Sequence, residues 1–215
     1  MKYVYLFGKN INEGDSSKID LLGGKGANLA EMSSLNIPVP PGFTVTTEVC
    51  NLFLKNYSLK KSIKYDISKA LKLVEKSISK KFGDIENPLL LSVRSGAKIS
   101  MPGMMETVLN IGLTSKTIPG LIKRTGNSRF VYDSYRRLIM MYADVVMEKA
   151  EQKNDINIRE KLEHILDRYK NKRSIVNDFD LTTEDLKFLI DKFKFNIKKY
   201  LKVDFPDTPE EQLWG

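Results

Sequence analysis

The signals for β-strands in this sequence stop at about residue 113, and this change constrains the fold more than any other feature. Before that point, short apolar runs rich in β-branched or aromatic residues alternate with helical patterns. The runs predict strands at residues 3–7, 43–45, 89–93 and 107–111, with helices near 24–34, 47–57 and 61–82. After it, the periodicity is helical only. We therefore expect an α/β part, residues 1–113, and a helical part, residues 114–215.

Two apolar stripes at a period of 3.6 residues predict long helices in the helical part. Their members are Val131, Tyr135, Leu138, Tyr142 and Val145, and then Leu186, Leu189, Ile190, Phe193, Ile197 and Leu201. Thr182 with Asp185 predicts the start of the second helix. The polar region 151–161 predicts a linker. For Arg136 and Arg137 two interpretations stay open, a nucleotide-facing position or an ion pair within the helical part.

A glycine-rich segment, LLGGKGANLAEM at residues 21–32, surrounds Lys25 with three glycines. The alanine, leucine and glutamate that follow favour a helix, so the pattern predicts a glycine loop that opens one. Helix N-termini attract phosphate, and a lysine adds a full positive charge. The segment is not a P-loop, because Gly26 rather than Ser or Thr follows the lysine. The alternative is a tight turn with a solvated lysine.

Arg94 ends the predicted buried strand at 89–93 and precedes a loop of glycine, serine and methionine. A planar guanidinium suits phosphate oxygens better than a flexible ammonium does. Gly96, Pro102 and Gly103 disfavour a helix and let backbone N–H groups approach a ligand. The segment therefore predicts a site for an anion, with an ordinary surface ion pair of Arg94 as the alternative.

Four segments together resemble the N-terminal nucleotide-binding region of pyruvate phosphate dikinases. They are GGKGANLAEM, IPVPPGFTVTTEVC, LSVRSGAKISMPGMMETVLNIGL and TGNSRFVYDSYRRLIMMYADVVM, in this order. The resemblance extends from about Tyr5 to the final EEQLWG. Phosphoenolpyruvate synthases and glucan or water dikinases share the first segments in looser form. The SMPGMM loop and the YDSYRRLIMMYADVVM helix are those that resemble the pyruvate enzyme.

The resemblance implies the N-terminal part of an ATP-grasp fold that binds MgATP. In this family the β-phosphoryl group of ATP passes to a histidine on a separate domain. The phosphohistidine then converts pyruvate to phosphoenolpyruvate, with AMP and pyrophosphate as the products from ATP and phosphate. For this sequence, the resemblance implies that Lys25 and Arg94 contact the ATP phosphates. There they would neutralise the negative charge on the phosphoryl group that is transferred. The resemblance also places a loop along the nucleotide, with contacts from Ser100, Met101, Gly103, Met104 and Met105.

The same resemblance predicts what the chain lacks. The family's magnesium ligands, phosphohistidine domain and pyruvate-binding barrel would follow Gly215, so we expect no metal site, no complete catalytic set and no turnover by this chain alone. His164, the one histidine of the sequence, lies beside an apolar stripe and is predicted to be a helix-surface residue. Thr208, Pro209 and Glu211 predict a helix start just before the end, which suggests a chain shortened within the nucleotide-binding region.

The net charge of +8 requires that nucleic acid, membrane and anionic small molecules all be considered as partners. Because the lysines alternate with apolar residues at helical spacing, we predict solvated helix faces and no nucleic-acid binding. No apolar run approaches about 18 residues, so we predict no membrane partner and a cytoplasmic protein. Cys50, the only cysteine, agrees with a reducing compartment and is predicted to pack within its helix.

A different class of function remains as the alternative. A shortened paralogue could act as a protein-interaction module without nucleotide turnover, and two copies could associate over a surface that the rest of the family enzyme covers. An exposed apolar patch would be the physical sign of such a module.

Overall fold

The computed structural model describes residues 2–95, 107–150 and 156–215. It is a mixed α/β structure, as predicted. Contacts divide the chain into two compact units, Met1–Lys81 with Arg94–Glu106, and Phe82–Val93 with Thr107–Gly215. The expected boundary at residue 113 follows the end of the strand signals, which is a different criterion, and it stays a prediction.

The first unit is a small antiparallel sheet with helices packed on it. Its helices and strands are β1 (Val4–Gly8), β2 (Ile11–Asn12), α1 (Ile19–Ser34), β3 (Gly42–Val45), α2 (Thr47–Asn56) and α3 (Lys61–Ile78). The strand order is β2-β1-β3, with Val4 opposite Val45 and Phe7 opposite Gly42. Helices α1 and α3 both contact β1 and β3.

Alternation and helical spacing explain why these residues form this unit. Every second residue of β1 is buried, which is the period of a strand with one covered face. Helix α3 buries one apolar stripe at 3.6-residue spacing, made of Ile63, Ile67, Ala70 and Val74. The opposite face of α3 is therefore directed to solvent.

The second unit is mainly helical. Its elements are β4 (Lys81–Phe82), β5 (Pro88–Leu89), β6 (Leu91–Arg94), β7 (Thr107–Ile111), α4 (Ile118–Thr125), α5 (Ser128–Tyr142), α6 (Glu148–Ala150), α7 (Ile158–Lys172), α8 (Thr183–Leu201) and α9 (Pro209–Trp214). Two end residues of these strands, Lys81 of β4 and Arg94 of β6, fall in the first unit. Strand β4 pairs with β5, and β6 with β7. Helix α5 packs against α8, and α7 also packs on α8.

The predicted stripes form the core of the second unit with one exception. All six predicted residues of α8 are buried, and so are the first four of α5. The prediction for Val145 is wrong, because Ala143–Met147 is a π-helical segment that shifts the face presented to the core. Ala143 and Met147 are buried there instead.

The strand expected at 89–93 is interrupted at Leu90. Leu89 is buried at 5% exposure, whereas Val93 is 44% exposed. The prediction of a buried strand is thus wrong for its second half, since a two-stranded β6–β7 ribbon has few neighbours to cover both faces. The expected linker at 151–161 is also too long, because α7 begins at Ile158; residues 151–155 lie outside the described ranges.

Two predicted helix starts are confirmed. Thr182 and Asp185 form a capping box at α8, with each side chain bonded to the other residue's backbone N–H. At α9, the Thr208 hydroxyl accepts from the backbone N–H of Glu211 at 3.2 Å and donates to its carboxylate at 2.8 Å. Within the described ranges, no helix is both long enough and apolar enough to cross a membrane.

Candidate functional site

Helix α1 is broken at Gly23, two residues before Lys25. Gly23 has φ 69° and ψ 163°, a conformation that essentially only glycine adopts. The chain is helical on both sides, so the break creates a second helix start inside α1. Backbone N–H groups of the first turn after it lack acceptors four residues earlier in the same helical segment. The predicted glycine loop is therefore a kink: a first helical segment begins at Ile19, and a second begins after Gly23, close to the predicted start near residue 24.

The three glycines around Lys25 have different roles. A Cβ on Gly26 would lie 2.7 Å from the Thr44 methyl carbon, so this glycine lets α1 approach β3 closely. A Cβ on Gly24 would meet nothing within 4 Å. Close packing thus explains why residue 26 is a glycine, and the backbone conformation explains why residue 23 is one. Gly24 leaves open space directly before Lys25.

Lys25 is partly exposed in the first turn after the kink. It forms no ion pair or hydrogen bond with any side chain in the described part of the molecule. Its ammonium group is therefore available to an external anion at the positive end of a helical segment.

Arg94 is the last residue of β6 and is exposed. The alternative for it was a surface ion pair, and the described residues provide none. Arg94 falls with Lys25 in the first compact unit. That both cations contact one ligand stays a prediction, and so do the nucleotide contacts expected from Ser100, Met101, Gly103, Met104 and Met105, which lie outside the described residues.

The start of α2 contains polar atoms that the sequence did not reveal as unusual. Thr46 occupies the N-cap position of α2, but its hydroxyl makes no cap bond. The Thr46 hydroxyl and one carboxylate oxygen of Glu48 are buried and have no hydrogen-bond partner among the described residues. Thr47 donates instead to the carbonyl of Asp20 at 2.7 Å, which joins α2 to the first segment of α1. Nothing in the TVTTE pattern distinguishes these three roles.

The remaining candidates for chemistry have structural positions. His164 lies on α7 with a 63% exposed side chain, 3.9 Å from Glu160, so the predicted surface position is confirmed. Cys50 is exposed on α2, and the prediction that it packs is wrong because Val49, not Cys50, faces the core. The described residues contain no group of three or more histidine, cysteine, aspartate or glutamate side chains suited to a metal ion.

Arg136 and Arg137 form ion pairs within the second unit. Arg136 is buried and contacts Asp133 at 2.8 Å and Asp178 at 3.0 Å, while Arg137 contacts Asp133. Burial opposes ionisation of Asp178, but a hydrogen bond from Lys170 and the charge of Arg136 hold its pKa below the usual value. These contacts decide between the two open interpretations in favour of the ion pair.

Comparison with known proteins gives the same family as the motifs. Residues 19–70 match the family model described as pyruvate phosphate dikinase, AMP/ATP-binding domain. This range contains the kink at Gly23, Lys25 and the start of α2. The whole chain is 47% identical to the pyruvate, phosphate dikinase of Clostridium symbiosum and 43% identical to that of Rhizobium meliloti. It is 47% identical, over 99% of its length, to the chloroplastic enzyme of Flaveria trinervia.

The resemblance to pyruvate phosphate dikinases is thereby confirmed. The chain spans 23% of the two bacterial dikinases and 21% of the Flaveria trinervia dikinase. The similarity to these dikinases extends through the second unit as well, since it covers essentially all of the chain.

Proposed function

We propose that this chain is an ATP-binding segment of the pyruvate phosphate dikinase type, in which Lys25 and Arg94 contact the phosphates of ATP. The observation that carries the proposal is the kinked start inside α1. It presents a lysine that no described residue pairs with, next to the open space at Gly24, within the residues that match an AMP/ATP-binding domain. We also propose that residues 1–113 are part of an ATP-grasp fold.

The physical role of the two cations is electrostatic. A triphosphate carries several negative charges, and phosphoryl transfer depends on positioning and on neutralising charge that develops on the transferring group. A lysine at the positive end of a helical segment adds its charge to that of the backbone dipoles. A guanidinium can hold two phosphate oxygens at once.

The proposed reaction of the complete enzyme is ATP, phosphate and pyruvate to AMP, pyrophosphate and phosphoenolpyruvate through a phosphohistidine. Lys25 and Arg94 would serve the first transfer, from ATP to histidine. The sequence contains one histidine, His164, which is a helix-surface residue. We therefore propose that the acceptor histidine and the ligands of Mg²⁺ belong to sequence outside this chain. We also propose that this chain alone does not catalyse the reaction.

Calorimetric titration of the chain with MgATP tests the nucleotide site. We expect Lys25→Ala and Arg94→Ala each to weaken binding roughly ten- to hundredfold, because each removes a charge-assisted hydrogen bond. Lys9→Ala and Arg124→Ala are matched controls, since both residues are exposed and neither forms an ion pair with a described residue. Unchanged affinity in both test variants would remove Lys25 and Arg94 from the site.

The turnover proposal has its own assay. The purified chain is mixed with ATP, phosphate, pyruvate and Mg²⁺, and AMP and pyrophosphate are quantified. We expect neither product above the rate of the buffer alone. Formation of both products in equal amounts would contradict the proposal that the acceptor histidine lies elsewhere.

A further inference from the structure

The positive charge of this protein is concentrated in one short segment. Residues 55–81 contain nine lysines, no arginine and two acidic residues, which leaves +7 there, while the other 188 residues sum to +1. The nine are Lys55, Lys60, Lys61, Lys64, Lys69, Lys72, Lys76, Lys80 and Lys81. All are exposed, and all fall in the first unit.

Four of these lysines and one tyrosine form a row along α3, which we call the lysine row: Lys61, Tyr65, Lys69, Lys72 and Lys76. Steps of three and four residues place them on one face of the helix. The row is about 22 Å long at 1.5 Å per residue. It lies opposite the stripe that α3 buries against the sheet, so the face is open to solvent. Tyr65 is 69% exposed within it.

The charges of the lysine row are not compensated within the protein. Its four lysines form no ion pair with any residue in the described ranges. Neighbouring lysines also repel one another along the helix, as in Lys69 with Lys72 and Lys72 with Lys76. The first turn of α3 contains no acidic residue, and Lys60 stands at its N-cap without a side-chain cap bond. Positive charge at a helix N-terminus is unfavourable.

We infer that the lysine row is a docking surface for an acidic polypeptide segment, one whose carboxylates recur every three to four residues. Charge complementarity supports an anionic partner, and such a partner would remove the repulsion described above. Lys69, Lys72 and Lys76 recur every three to four residues and Lys61 lies about two turns before Lys69, so the row matches carboxylates spaced along one face of an acidic helix. Tyr65 would add an apolar contact in the middle of the row.

The residue types favour polypeptide over nucleic acid as the partner. Arginine binds phosphate oxygens in pairs, and it is the usual residue for recognising phosphate groups. The sequence has eight arginines, and none lies in residues 55–81. A membrane surface is also less suited, because the apolar stripe of α3 is already covered by the sheet and cannot enter lipid.

The test uses the full chain and a fluorescently labelled helical peptide of about 20 residues with glutamate at every third and fourth position, followed by anisotropy at low salt. We expect the variant with Lys61, Lys69, Lys72 and Lys76 all replaced by Gln to bind at least about tenfold more weakly, from four exposed charge pairs. The control replaces Lys9, Lys116, Lys172 and Lys202 by Gln, which removes the same charge from four scattered exposed positions. Its affinity should change by less than about threefold.

Two further controls are needed. A variant with the same four lysines of the row replaced by Arg should retain binding of the peptide. Circular dichroism checks that the Gln variant is folded. Equal losses in the row variant and the scattered control would overturn the inference, as would no binding of the peptide to the parent chain. Tighter binding of a DNA duplex or of phosphatidylserine vesicles than of the peptide, lost in the row variant, would reject a polypeptide partner. None of these variants changes Lys25 or Arg94, so the ATP titration is an independent test.

Discussion

Helices α3 and α8 have nearly the same composition of charge but opposite electrostatic surroundings. Each contains five lysines. In α8 every one of them has a partner: Lys194 and Lys198 pair with Asp207 and Asp204, and Lys187, Lys192 and Lys199 lie over aromatic rings. In α3 the four lysines of the row have none among the described residues.

The two helix starts differ in the same sense. Helix α8 begins with a capping box and has Glu184 and Asp185 in its first turn. Helix α3 begins with Lys60 and has no acid there. An alternation of lysine with apolar residues therefore predicts a helix with a buried stripe in both cases, but it does not tell whether the charged face is compensated. In α8 the lysines contribute to the stability of the fold, and in α3 the four lysines of the row are available to a partner.

The largest effect that would test this contrast is expected from Asp185→Ala. Asp185 is buried and accepts from the backbone N–H and hydroxyl of Thr182 and from the hydroxyl of Tyr169. Its removal breaks the cap and leaves these donors unsatisfied, so the free energy of unfolding should fall by about 2–3 kcal/mol. Urea unfolding followed by circular dichroism measures the change. Asp66→Ala in α3 is the control, and an equal loss there would contradict the contrast.

Acidification should also reduce the stability of α8, but by less than the Asp185→Ala substitution does. Burial raises the pKa of Asp185, yet the hydrogen bonds from Tyr169 and Thr182 outweigh burial and hold the pKa below its usual value. A depressed pKa means that Asp185 contributes stability above the unfolded-state pKa near 4, and that this contribution is lost as pH falls through the lower folded-state pKa.

Hydrogen exchange of the α8 amides, compared between pH 6 and values below 4, measures this loss. The Asp185→Asn variant supplies the control, because its asparagine cannot titrate over that range. An equally steep pH dependence of α8 in the asparagine variant would show that other carboxylates are responsible.

The smallest effect, and one of opposite sign, is expected from Lys60→Asp at the start of α3. Aspartate can accept a backbone N–H at the N-cap and its charge favours the helix N-terminus, so the free energy of unfolding should rise by about 1 kcal/mol. Lys60→Gln removes the charge and should give a smaller gain. A loss of stability in the aspartate variant, measured by urea unfolding, would mean that the lysines of α3 are compensated after all.

The parts that the sequence predicts well are local. The stripe and capping box of α8 each depend on residues within a few turns, and both are confirmed. The burial of Val93 and Cys50 depends on what packs nearby, and here local pattern gave the wrong answer. The π-helical segment that displaces Val145 follows from packing of the whole helix, so no period in the sequence signals it.

The candidate site divides in the same way. A helix start beside Lys25 was predictable from GGKG, because glycine permits a backbone that other residues do not. That Gly26 serves contact with Thr44 rather than a ligand was not predictable, since the two residues are 18 positions apart in sequence. Lys25 and Arg94 are even further apart in the sequence. That both contact one ligand stays a prediction.

The break in α1 has a stereochemical consequence. At Gly23 the backbone occupies a region that L-residues avoid and that their mirror images tolerate far better. A chemically assembled chain with D-alanine at this position should keep the path that leads into Lys25, whereas L-alanine should straighten or distort it. Handedness at one α-carbon thus governs whether α1 presents one starting point or two.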